Sequence, residues 1–413
     1  MSTIYLTADL PGTGGRLRAS TSDFLVEELP LYEPSGSGDH LYVRIEKTGL
    51  STHDAVRRIA RALRVRPRDV GYAGLKDARA VTVQTLSIEH VDDERARDAL
   101  ADLDGIRVLG LSRHRNKIRL GHLAGNRFTL RVRDVNEEAE VRAGAILREL
   151  EARGCPNWFG VQRFGRRGDN DRVGRALIRR RPAEAVRALL GDAGSADDGL
   201  DASRAFADEG SWQEAFDAAP RGARTEAAVL REMARGREPE RALRAVPRKL
   251  LRLLVSAYQS RLFNTLLAER LPTLSQMEIG DLAYLHDRGA VFAVEDAEAA
   301  QLRADTLEIS PSAPLFGTRL LFADGEPGAR ERALLEAEGL VLHDFNIPGA
   351  GSFRGERRPL RIPLREVTAE RAPPGDDGER TIVVRFVLPR GCYATTVLGE
   401  ILKTPETAPP RRA

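Results

Sequence analysis

The strand-forming stretches of this chain lie at its two ends, and that placement limits how it can fold. Thr381 to Leu388 is a run of mostly β-branched and apolar residues, the make-up of a strand buried in a sheet. The other strand signals come early, at Asp23 to Leu29, Leu41 to Glu46, Val81 to Ile88 and Arg127 to Val132. In the last of these, Phe128, Leu130 and Val132 alternate onto one side. From about Gly165 the chain becomes arginine-rich, then acidic and glycine-rich, then helical. The terminal strand either joins the early sheet or belongs to another, and the sequence leaves both open.

Helical spacing marks His53 to Leu63, with Ser51 or Thr52 as its cap and Val56, Ile59, Ala60 and Leu63 on one face. Glu137 to Arg153 follows. Arg248 to Arg270 carries Leu251, Leu254, Tyr258 and Leu262, with Val255 and Leu266, as a buried helix does. Thr395 to Leu402 reads as a short closing helix. Proline and glycine crowd Ile347 to Pro363, which predicts an irregular segment, and the polar tail from Thr404 to Ala413 is expected to be disordered. At 413 residues, 42% hydrophobic and 30% charged, the chain has the make-up of a soluble globular protein of two domains. No apolar run is long enough to span a bilayer, and Met1 to Leu10 does not read as a secretory signal, so a cytoplasmic protein is expected. Cys155 and Cys392 are far apart and the seven histidines show no ligand spacing, so metal chemistry has no visible support.

A formal net charge of +3 hides an uneven distribution. Only five of the 64 basic residues are lysine. Arg163, Arg166, Arg167, Arg172, Arg175, Arg179, Arg180 and Arg181 crowd one stretch, and Arg354, Arg357, Arg358, Arg361 and Arg365 another. Acidic residues gather from Asp192 to Asp217. A solvated face explains such clusters in general, but guanidinium forks also suit phosphate, and contact with RNA is the expectation for both.

The most informative stretch is Gly71-Tyr72-Ala73-Gly74-Leu75-Lys76-Asp77-Ala78-Arg79, just ahead of a strand. Its glycines let backbone approach a ligand closely. Lys76 and Arg79 flank Asp77 and favour its charged form, which suits a nucleophile or a base. As a bare pattern, a glycine turn with a surface ion pair explains these residues as well.

This segment resembles the signature of the TruD family of tRNA pseudouridine synthases, in which a glycine-rich turn ending in Lys-Asp introduces the catalytic aspartate. Six other blocks resemble the family in its order: Asp23 to Glu28; Gly125-Asn126-Arg127-Phe128; Asn157 to Gly165; Ser256 to Asn264; Arg354 to Leu360; and Leu388 to Thr395. Arg18 stands where the family usually has lysine, Trp158 where it often has tyrosine, and Cys392 where serine is common.

The resemblance implies an α+β fold. A catalytic domain with a central, largely antiparallel mixed sheet would comprise residues 1–156 and 347–413, interrupted by an inserted α/β family-specific domain at 157–346. It implies an isomerase that converts uridine, at position 13 of the D arm, to pseudouridine in tRNA. The reaction moves no electrons in or out and needs no redox cofactor or ATP, and no P-loop is present. Asp77 is the implied catalytic carboxylate, attacking C1′ or removing the 2′ proton, and Tyr393 would return beside it. By family position Phe128 packs on the uracil, Phe24 and Tyr393 line the pocket, and Asn126 holds Asp77 or the base edge. On pattern alone the two phenylalanines read as core. Arg18, Lys76, Arg79, Arg163, Arg166, Arg167, Arg354, Arg357 and Arg358 are the candidates for holding RNA, by a monomer with tRNA as partner. A non-catalytic RNA-binding or RNA-folding protein, or a synthase for another RNA uridine, is the competing reading.

Overall fold

A computed structural model describes residues 4–192, 199–373 and 378–404. The tail beyond residue 404 and part of the acidic stretch, residues 193–198, lie outside the described residues. The chain divides into two compact units. One holds the residues up to Cys155 together with the chain from Ile362, and the other runs from Pro156 to Arg361. No described helix is long and apolar enough to cross a membrane.

The first unit is built on a nine-stranded mixed sheet. Its strands are β1 (Arg16–Leu17), β2 (Phe24–Pro30), β3 (His40–Thr48), β4 (Gly71–Tyr72), β5 (Val81–Glu89), β6 (Ile106–His114), β7 (Leu123–Arg133), β8 (Arg365–Arg371) and β9 (Thr381–Pro389). The order is β8-β9-β7-β2-β5-β3-β6, with β1 added on β7 and β4 on β5. All pairs are antiparallel except β2 with β5. The terminal strand thus joins the early sheet, pairing with β7 from Thr381 opposite Arg133 to Pro389 opposite Gly125. The run that spells β9 supplies both halves of this fit. Ile382, Val384, Phe386 and Leu388 are buried, and the residues between them are half-buried.

Helix α1 (Thr52–Ala62) starts where Ser51 accepts the Asp54 backbone N–H at 3.1 Å. It buries Ala55, Val56, Ile59 and Ala60 against Leu41, Val43, Ile45, Leu86 and Ile88 of β3 and β5. Helix α2 (Asp93–Leu100) adds Ala96 and Leu100 to the same cluster. Helix α3 (Ala139–Arg153) packs on β8 and β9, and α4 (Ala394–Leu402) packs on α3. Two edge strands escape the sequence pattern. β6 is mostly half-buried and β8 largely exposed, so neither shows a clean alternation.

The second unit centres on the helix Arg248–Arg270, which buries Leu251, Leu254, Val255, Tyr258, Leu262 and Phe263. It packs on the helix Asn170–Ile178 at Gly174, where a Cβ would overlap the Leu254 carbonyl. A four-stranded antiparallel sheet runs Val291–Ala293, Leu282–Leu285, Ile309–Leu315, Glu356–Pro359. Part of the Ile347 to Pro363 segment, expected to be irregular, is therefore strand. Pairing of Ser312 with Pro359 through Leu315 with Glu356 holds it in this unit, and the first unit resumes at Ile362.

Gly125 lies where β7, β2 and β9 meet, and a Cβ there would overlap the Leu388 carbonyl oxygen. Gly125→Ala should force β9 off β7 and lower the unfolding free energy by about 1–3 kcal/mol, the usual penalty of overpacking. Urea denaturation measures this, and an unchanged midpoint would mean that the strands tolerate the methyl group.

Candidate active site

The register of the sheet gathers side chains from distant stretches onto one face. Phe24, Val26 and Glu28 of β2 lie opposite Leu130, Phe128 and Asn126 of β7, and Val26 lies beside Thr82 of β5. Phe386 and Leu388 continue the rows on β9, and Lys47 of β3 lies opposite Thr82. The result is an aromatic row running into a polar one. Phe24 meets Phe128 edge-on, with centroids 6.3 Å apart, and Phe128 stacks on Phe386 at 5.3 Å.

Above this face runs the loop from β4 to β5, which carries Asp77. The Arg18 Nη2 forms an ion pair with Asp77 Oδ2 at 2.9 Å, and Asp77 Oδ1 accepts the Arg79 backbone N–H at 2.9 Å. One carboxylate oxygen is thus held by an opposite charge and the other by its own turn. The carboxylate side chain remains 37% exposed. The Arg18 guanidinium carbon also lies 4.3 Å from the centroid of the Phe24 ring, so the cation bridges carboxylate and aromatic row. Arg18 adopts a left-handed backbone, φ 59°, which non-glycine residues seldom take.

Lys76 does not reach Asp77. Its Nζ forms a buried ion pair with Glu28 at 2.6 Å, which takes it out of solvent. Its backbone N–H donates to Thr52 Oγ1 at 2.8 Å, and that hydroxyl donates to Gln84 Oε1 at 3.0 Å. Side chain and backbone of one residue thus anchor the loop to β2, α1 and β5. Arg79 is exposed and meets Asp77 only through its backbone. The cation on Asp77 is therefore Arg18, 59 positions away in sequence rather than next door.

Sequence reasoning missed Lys47. It is fully buried, and its Nζ donates to the backbone carbonyls of Leu50 and, at 3.2 Å, of Asp77 itself. Burial is the largest influence on it and pushes the ammonium down to about 8. Asp77 and Asp54 oppose that shift, and Lys76 adds to it. The signal was available. Lys47 continues the inward alternation Leu41, Val43, Ile45, so a lysine stands on the apolar side of a strand.

Asn126 presents Oδ1 to this face, buried and without a hydrogen-bond partner among the described residues. Phe24 and Phe128 are buried at 5% and 7% exposure. Tyr393 caps α4 and is exposed, and no contact between it and Asp77 is found among the described residues. The nearby Arg390 does tie the end of β9 to this region, its Nη1 donating to the Gly121 carbonyl at 2.9 Å while the Gly121 N–H donates to Ala73 at 2.8 Å.

Most arginines of the clusters in the second unit have internal partners. Arg163 donates to Ser260 and Ser256, and Arg167 donates to Asp169 and to the Leu189 and Leu190 carbonyls. Arg175 and Arg179 pair with Glu338, and Arg357 forms a buried pair with Glu331 at 2.7 Å. Arg358 lies on the Phe159 ring and donates to Asn157. Five donors on a rigid fork suit several carbonyls and carboxylates at once, which is why these arginines are occupied. Arg166 and Arg354 remain exposed, with no side-chain partner among the described residues.

A family model described as tRNA pseudouridine synthase D (TruD) matches residues 1–401. The chain is 46% identical over 403 residues to the tRNA pseudouridine synthase D of Syntrophotalea carbinolica, covering 97% of this chain and 99% of that one. It is 47% identical to the protein of that name from Geobacter metallireducens, covering 97% of each. The crystal structure of a putative tRNA pseudouridine synthase D from Methanosarcina mazei superposes with a TM-score of 0.86 at 30% identity. It covers 97% of this chain and 96% of that chain.

Lys47 also predicts a pH effect. Its folded value near 8 lies below the ordinary 10.5, so between these limits the unfolded chain binds more protons and stability rises with pH. Comparison of wild type with Lys47→Met by urea unfolding at pH 7.5 and 9.5 should shift the difference toward wild type by about 1–2 kcal/mol. A pH-independent difference would mean that Lys47 titrates normally.

Proposed function

The chain belongs to the tRNA pseudouridine synthase D (TruD) family, and we propose from this that it isomerises uridine 13 of the tRNA D arm to pseudouridine, with Asp77 as the reacting carboxylate. The observation that carries the assignment is the Asp77 carboxylate, oriented at both oxygens yet open to solvent, beside an aromatic row. In the reaction the C1′–N1 bond breaks, the uracil turns, C5 bonds to C1′, and the C5 proton leaves. The carboxylate serves the sugar, by adding to C1′ or by taking the 2′ proton, and is placed to accept the C5 proton afterwards.

The uridine has to leave its stack to reach a carboxylate held on a loop. Phe128, flanked by Phe24, packs on the extruded base in place of its lost neighbours. The unpaired Asn126 Oδ1 accepts a hydrogen bond from the base edge, and Tyr393 closes the pocket mouth. Arg18 acts through Asp77, holding its orientation, rather than through RNA. Arg79, Arg166 and Arg354, exposed and without side-chain partners among the described residues, are placed to meet phosphate. The catalytic domain of this proposal comprises both ends of the chain, with the middle as a family-specific insert. The proposal also has the enzyme act as a monomer on tRNA in the cytoplasm.

Tritium placed at uracil C5 of a tRNA transcript reports the reaction directly. Wild type should release it, and Asp77→Asn should retain RNA binding while losing at least about 10²-fold in rate. Replacing uridine 13 with cytidine should abolish release. Release that survives this replacement would move the target to another position. Tight binding with no release from any transcript would favour a non-catalytic RNA-binding protein.

A further inference from the structure

From Gly105 to Arg133 the chain contains no aspartate or glutamate, but eight lysines and arginines. Several of these cations are answered by carboxylates from elsewhere in the first unit. Arg107 pairs with Glu46, Arg113 with Asp93, Arg127 with Glu27 and Glu366, and Arg133 with Asp23. Lys117 donates to the Arg68 carbonyl at 3.0 Å. Arg115 and Arg119, in the connection between β6 and β7, are exposed, and neither guanidinium has an ion-pair or hydrogen-bond partner among the described residues.

These two side chains project from a connection that is firmly held. The Tyr42 hydroxyl donates to the Asn116 carbonyl at 2.8 Å, and the Ile118 N–H donates to Ser87 Oγ at 2.9 Å. The Gly121 N–H donates to the Ala73 carbonyl at 2.8 Å, and the Gly121 carbonyl accepts Arg390. At its foot Tyr32 stacks on His114 with centroids 4.9 Å apart, and its hydroxyl bonds His122 Nδ1 at 3.1 Å. Residues 116, 118 and 121 are anchored inward while 115 and 119 face water. The anchor at Ala73 belongs to the same loop as Asp77, four residues before it.

We propose that the connection from Arg115 to His122 is a preorganised docking surface for the sugar–phosphate backbone of the substrate RNA. Arg115 and Arg119 each neutralise one phosphate close to the reacting uridine. Two cations on a fixed backbone lose little conformational freedom on meeting a polyanion, and no carboxylate pairs with them among the described residues. The surface positions the strand and does not read its sequence. The inference rests on the reading that RNA is the substrate.

The test measures binding of a tRNA transcript at a series of potassium chloride concentrations. Arg115→Ala/Arg119→Ala should weaken binding at low salt by about 10-fold or more, and reduce the slope of log affinity against log salt by about 2, one for each lost phosphate contact. Arg115→Lys/Arg119→Lys, which keeps the charges, should recover most of the slope. Arg61→Ala/Arg97→Ala removes two other exposed charges, from α1 and α2, and should bind as wild type does. An unchanged slope in the first variant, or an equal loss in the α1 and α2 control, would overturn the proposal. A wild type that binds no tRNA at any salt would instead overturn the parent reading, a result distinguishable from both.

Discussion

The nine-residue antiparallel pairing of β9 with β7 is the contact on which the first unit depends. It turns two remote stretches into neighbours and sets which residues share a face. Because side chains alternate strictly, a slip of one position would turn Phe386 and Leu388 away from Phe128 and Asn126. β2 then repeats the same register on the other side of β7, and its parallel neighbour β5 brings in the end of the Asp77 loop. Aromatic row, polar row and carboxylate are consequences of one alignment.

Much of this was legible in the chain. The strands β2, β3, β5, β7 and β9 and the helices α1 and α3 follow from alternation, helical spacing and the Ser51 cap, each a local property. The Asp77 turn was legible for the same reason. Its environment was not. Arg18 and Lys47 reach Asp77 from residues 59 and 30 positions away, and Glu28 draws off the adjacent Lys76. Ion-pair partners are chosen by tertiary proximity, which no window of sequence contains. The edge strands β6 and β8 were invisible for a different reason, since each buries too little to need a pattern.

The arginines show the same limit at a larger scale. Clusters that look like a polyanion footprint in one dimension are largely consumed in three, as staples to Glu338, Glu331 and backbone carbonyls. What distinguishes Arg115 and Arg119 is that no carboxylate lies beside them in sequence and none pairs with them among the described residues. For an arginine-rich chain, unanswered charge is more informative than total charge.

The same β7–β9 pairing has a consequence in time. During synthesis β7 emerges roughly 250 residues before its partner, so at ~5–20 residues per second one edge of the sheet stays open for on the order of 10–50 s. An open edge bearing Phe128, Leu130 and Val132 is a template for pairing with another nascent chain. Arg127, Arg131 and Arg133 alternate along that strand. Stacked edge to edge, two copies would bring these like charges together, so the arginines guard the strand until its own partner is made.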